Sequence, residues 1–140
     1  MPFFRFFIIL ILCSIVSSLS AQKEEVFKGT FINTENKVKL YLDLEGKSLI
    51  VPGYDFLGAT TGYMCGDIYG IWLLTYSKIK NQELELRFSN DQGSDTQTIL
   101  FKQISDSTFL YQTIGGNSVK RVVNRKLVKI PSSMVFSKQK

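Results

Sequence analysis

The sequence predicts an all-β domain, a small antiparallel barrel of about eight or nine short strands, with a sandwich as the second choice. Three observations carry this. Val38, Leu40, Leu42 and Leu44 alternate with Lys37, Lys39, Tyr41, Asp43 and Glu45, the period of a strand with one buried face. Leu84, Leu86 and Phe88 alternate in the same way with Glu83, Glu85 and Arg87. Turn residues then recur at hairpin spacing, and no stretch beyond the first twenty or so residues reads as a helix. Short hairpin connections favour an up-and-down barrel, because closure leaves no exposed strand edge.

In chain order, residues 1–21 have the build of a secretory signal helix: one positive charge at Arg5, an apolar run from Phe6 to Val16, and the small polar stretch SSLSAQ. The run is shorter than the roughly 20 apolar residues a membrane span needs. A lipid anchor at Cys13 is disfavoured, since Leu12 stands where a small residue is wanted. Residues 22–140 form a single β domain, expected to be secreted or periplasmic in a bacterium.

Within that domain, Val26 to Asn33 reads as a first strand with Phe27, Gly29, Phe31 and Asn33 on one face. Lys37 to Glu45 follows, then Ser48 to Val51, which Pro52 and Gly53 end. Ile71 to Ile79, Glu83 to Phe88, Thr96 to Ile104 and Thr108 to Ile114 continue the pattern, with SNDQGSD (89–95) as a turn. Val119 to Val123, Lys126 to Ile130 and Met134 to Phe136 complete it.

Composition removes several chemistries. Histidine is absent, which takes away the commonest general base and transition-metal ligand. With Cys13 in the leader, Cys65 stands alone, so an internal disulfide is excluded and the core must hold the domain. The 89–95 turn lacks the spacing of a calcium loop. The carboxylate pairs Asp43 with Glu45 and Glu83 with Glu85 lie opposite apolar faces and read as solvated surface. No nucleophile can be paired with a base, so the chain is read as a non-enzyme with no cofactor and no bound metal.

Charge is unevenly spread. Gln22 to Asp106 carries nine Lys and Arg against twelve Asp and Glu, whereas Ser107 to Lys140 carries seven basic residues and no acid. Lys120, Arg121, Arg125 and Lys126 are the expected anion-facing group. Export disfavours nucleic acid as a partner and leaves an anionic surface or glycan.

The stretch from Val51 to Tyr76 breaks the strand pattern. Gly58, Gly62, Gly66 and Gly70 fall at intervals of four, but Thr60, Thr61, Asp67 and the tyrosines rule out a membrane helix. The glycines fit a loop or bent strand, or the wall of a ligand site. Tyr54, Phe56, Tyr63, Tyr69, Trp72 and Tyr76 give the same region a high aromatic density, suited either to a core or to a partner or ligand surface.

Gly70, Ile71 and Trp72 form a Gly-x-Trp triplet, and through it the chain resembles small secreted lipocalin-like barrels. In lipocalins the triplet lies on the first strand, where the tryptophan closes one end of the barrel under a basic residue of the last strand. Here it lies well after the first strand. The resemblance implies a small barrel of about eight or nine strands, with Arg121 or Arg125 as the partner of Trp72. Two readings follow: a protein-interaction module with an aromatic, glycine-rich loop, ranked first, and a carrier of a small apolar or amphipathic ligand.

Overall fold

The computed structural model describes residues 25–140, so the expected leader and Cys13 lie outside the described residues. Twelve strands follow one another: β1 Gly29–Asn33, β2 Val38–Leu42, β3 Leu49–Ile50, β4 Ala59–Thr60, β5 Gly62–Gly66, β6 Trp72–Lys80, β7 Glu83–Asn90, β8 Thr96–Gln103, β9 Thr108–Gly116, β10 Lys120–Val123, β11 Lys126–Lys129 and β12 Ser133–Lys138. Eight of them close a barrel, in the order β1, β2, β5, β6, β7, β8, β9, β12 and back to β1. Every neighbouring pair is antiparallel. The predicted up-and-down barrel is therefore the fold, and the sandwich is not.

Three of the predicted strands, seen as β3, β10 and β11, are not staves of the barrel, and neither is β4, which the sequence did not mark. β3 pairs only with β4, and β10 only with β11. Each pair is an insertion, the first between β2 and β5, the second between β9 and β12. Conversely, the glycine-rich stretch expected to be irregular contains a regular stave, β5.

The interior explains the strand pattern. Phe31, Leu40, Leu84, Leu86, Phe88, Ile99, Phe101, Phe109, Tyr111 and Phe136 are all fully buried in one cluster. Each such side chain contributes about 1.5–3 kcal/mol through burial. The aromatic rings meet edge to face as well as stacked: Phe31 stands nearly perpendicular to Phe101 and Phe109 at 5.0 and 4.8 Å between centroids, and those two stack at 5.2 Å.

β5 contributes little volume to this core because two of its inward positions are glycine. A Cβ on Gly62 would lie 2.9 Å from the Tyr41 carbonyl oxygen and from Leu74. One on Gly66, at φ +117°, would collide with the Lys37 carbonyl oxygen. The glycines let neighbouring staves approach, and the apolar alternation that would have marked β5 as a strand is lost with their side chains.

The barrel has two distinct poles. At the first, where the described chain begins and ends, the Lys138 amide donates to the Ser107 carbonyl and the Gln139 amide to that of Thr30 (2.7 and 2.8 Å). The second gathers the β1–β2, β5–β6 and β7–β8 connections and the β10–β11 insertion, and is called here the hairpin pole.

Candidate functional site

The first insertion, residues 43–61, is built on Asp43. The expectation of a solvated carboxylate fails there: Asp43 is 5% exposed. Its Oδ1 accepts from the Gly46 amide at 3.0 Å, and its Oδ2 accepts from the Ser48 hydroxyl. The Ser48 hydrogen bond holds the carboxyl below its ordinary range; burial opposes this, and the Gly46 amide adds to the lowering. Any side chain at position 46 would overlap that carboxylate, within 2.5–2.9 Å. Glu45, beside it, is exposed as expected.

From this hub the insertion runs back along the outer wall. Val51 is completely buried. A 3-10 turn over Asp55–Leu57 forms its tip. The Tyr54 hydroxyl donates to Asp91 Oδ2 at 2.6 Å, in the β7–β8 turn of the hairpin pole, and this contact raises the Tyr54 pKa. Asn90 organises that turn, its Oδ1 accepting from the Ser94 and Asp95 amides at 2.9 and 3.2 Å.

The six aromatic candidates divide. Phe56 is 80% exposed, Tyr69 55% and Tyr76 41%, and Tyr54 is partly covered. Tyr54 and Phe56 lie together at the insertion tip, 5.9 Å between ring centroids. Ile50 and Leu57 are exposed in the same insertion. Tyr76 stands apart on the barrel wall, beneath the Arg87 guanidinium at 5.1 Å. Tyr63 and Trp72 are buried and offer no surface to a partner: Tyr63 stacks on Tyr41 at 4.6 Å, and Trp72 belongs to the barrel core. Burial pushes up the pKa of Tyr63 and that of Cys65, the one cysteine among the described residues.

Trp72 does not have the arginine partner expected of it. Its Nε1 donates to the Tyr69 carbonyl at 3.4 Å. Arg121 is instead committed to the barrel rim, donating to Asn36 O and Oδ1 at 3.3 and 3.1 Å and lying 3.7 Å from Asp67. Arg125 is exposed at the far end of its hairpin.

The arrangement the resemblance implied, an aromatic ring beneath a basic side chain of the last strand, is found at the other pole. Gly29, Thr30 and Phe31 open the first stave, and Lys138 of β12 lies 5.8 Å above the Phe31 ring. Its Nζ donates to the carbonyls of Glu25 and Val26 at 3.3 and 3.1 Å, tying the chain entry over that end. A Gly-x-aromatic on the first strand and a lysine on the last were the sequence signals for this closure.

The second insertion carries the basic group. Lys120 to Val123 and Lys126 to Lys129 pair in register through Val122 opposite Leu127, around a turn in which Asn124 and Arg125 both have positive φ, 51° and 65°. Two successive positive φ values are the mark of a tight hairpin turn whose twist matches its strands. Its base is fixed: the Tyr69 amide donates to the Lys120 carbonyl at 2.7 Å, the Ile130 amide to that of Val119 at 3.0 Å, and Val119 and Ile130 are buried. Beyond the base nothing among the described residues covers it; Val122, Val123, Leu127 and Val128 are 41–53% exposed. Beneath it the Tyr111 hydroxyl is buried with no hydrogen-bond partner among the described residues, and its pKa is pushed far up by burial.

Neither a family model nor a curated protein sequence matches the chain. Among solved structures, the crystal structure of pallilysin from the bacterium Treponema pallidum is similar, with a TM-score of 0.53 at 10% identity over 93% of this chain and 97% of that one. At that identity the likeness is one of fold alone.

Proposed function

We propose that the chain is a secreted or periplasmic, non-catalytic binding domain that engages a protein partner through the tip of its first insertion, with Phe56 as the central contact. The observation that carries this is the division of apolar side chains. The barrel interior is occupied by its own aromatic rings, while Phe56 stands 80% exposed beside Tyr54 and Leu57 on a segment hydrogen-bonded in place. An aromatic side chain presented on a pre-ordered support loses little freedom on binding, which suits it to an interface hot spot. The alternative of a small apolar ligand inside the barrel has less support, because the lumen-facing positions are filled. The resemblance to lipocalin-like barrels is carried by the barrel itself and by Lys138 over Phe31.

The test is a photoreactive side chain placed at position 56 and, as a control, at Gln112, which is exposed on the barrel wall, in protein expressed in its own cells. A discrete cross-linked protein from position 56, absent from position 112 and lost with Leu57→Asp, is expected. Equal cross-linking from both positions, or none from 56, would overturn the assignment.

A further inference from the structure

We propose that the β10–β11 hairpin is a docking arm for the surface of an anionic phospholipid bilayer, independent of the partner surface at Phe56. The reasoning begins with alternation. Arg121 is held against Asn36 and Asp67, which turns its face of the hairpin toward the barrel rim. Residues paired across strands share a face, so Lys120, Val122, Leu127 and Lys129 lie together on the opposite face. That face has an aliphatic pair with a lysine pair on its barrel side, and Arg125 adds charge in the tip turn; Lys126, paired with Val123, lies on the Arg121 face. The ion pairs among the described residues are Lys102 with Glu83 and Arg121 with Asp67, so Arg125, Lys126 and Lys129 present their full charge to solvent.

Charge alone would suit any polyanion. The aliphatic residues narrow the choice: a glycan or nucleic acid offers no apolar phase to Val122 and Leu127, whereas a bilayer interface offers both phases at once. Aliphatic side chains enter the acyl boundary, and lysine and arginine stems lie along it with their heads at the phosphates. The hairpin also has the required rigidity, its base being locked by the Tyr69–Lys120 and Ile130–Val119 backbone bonds and by buried Val119 and Ile130. A free two-stranded hairpin would be marginal in water.

The experiment uses the chain from Gln22, which contains every stave of the closed barrel, in co-sedimentation with vesicles of phosphatidylcholine alone and with added phosphatidylglycerol. Binding is expected only to the anionic vesicles and should weaken with salt. Arg125→Gln with Lys129→Gln should lower partitioning about 25-fold, at about five-fold per charge. Val122→Ser with Leu127→Ser should lower it about ten-fold or more, since each buried methylene contributes to anchoring. Leu127→Trp should show a blue-shifted emission on anionic vesicles. Absence of vesicle binding, binding indifferent to the Val122 and Leu127 changes, or equally tight binding to soluble heparin would each overturn the proposal; the last would assign the arm to a glycan. None of these outcomes depends on cross-linking at position 56.

Discussion

The two insertions use the same device, a pair of short strands set between staves of the barrel, and come to opposite ends. The first lies down: Asp43 knots its root, Val51 is buried, and Tyr54 ties its tip to Asp91. The second stands up: among the described residues it is fixed only at its base, and eight consecutive residues from Val122 to Lys129 are exposed. The difference shows that an insertion becomes wall or arm according to whether it brings its own buried anchor. Asp43 and Val51 supply one along the length of the first, whereas the β10–β11 strands have none beyond Val119 and Ile130.

Removing anchors should therefore cost stability in one insertion and not in the other. Val51→Ala is expected to destabilise the domain by about 2 kcal/mol, read from the urea midpoint; a change below a few tenths would mean the first insertion is not packed as described. Asp43→Asn should cost about 1–2 kcal/mol at neutral pH by weakening a charge-assisted bond. Its pH dependence is the sharper test. Because the folded carboxyl titrates below its ordinary range, its contribution is fully present above that range and is lost as pH falls through the depressed value. Wild-type stability should thus fall more steeply in acid than that of Asp43→Asn, and parallel curves would remove Asp43 as the hub. Val122→Ser with Leu127→Ser should leave the urea midpoint within about 0.5 kcal/mol of wild type, as for surface positions without partners. A larger loss would show that the arm is packed against something in the isolated domain.

The barrel was legible in the sequence wherever one face was apolar and the other charged, as at Val38 to Leu44 and Glu83 to Phe88. It was hidden in β5, where Gly62 and Gly66 occupy inward positions and close strand approach replaces side-chain volume. The site was legible in composition and less so in direction. Tyr63 and Trp72 are indistinguishable by type from Tyr69 and Phe56, and only three-dimensional placement sorts core from surface. Asp43 followed the alternation of its strand and so read as solvated; the glycine three residues on, which leaves room for the carboxylate to cap a turn, was the local clue. The closing lysine needed two signals from opposite ends of the chain, Gly29-x-Phe31 and Lys138, and the more conspicuous tryptophan drew the Gly-x-aromatic reading to the wrong strand.

The pairing of β1 with β12 has a consequence for how the domain can be held. Because that seam brings Glu25 and Lys138 together at one pole, any tether, tag or fused domain attached at either described terminus leaves from there. The arm and the Asp91 turn lie at the opposite pole. A support gripping the protein by its ends would display that far pole like the head of a pin. Splicing the two ends with a short linker and reopening the chain at the exposed Asn81–Gln82 turn, which lies at the same pole beside Val26 and Phe27, would keep that far pole on display without disturbing either insertion.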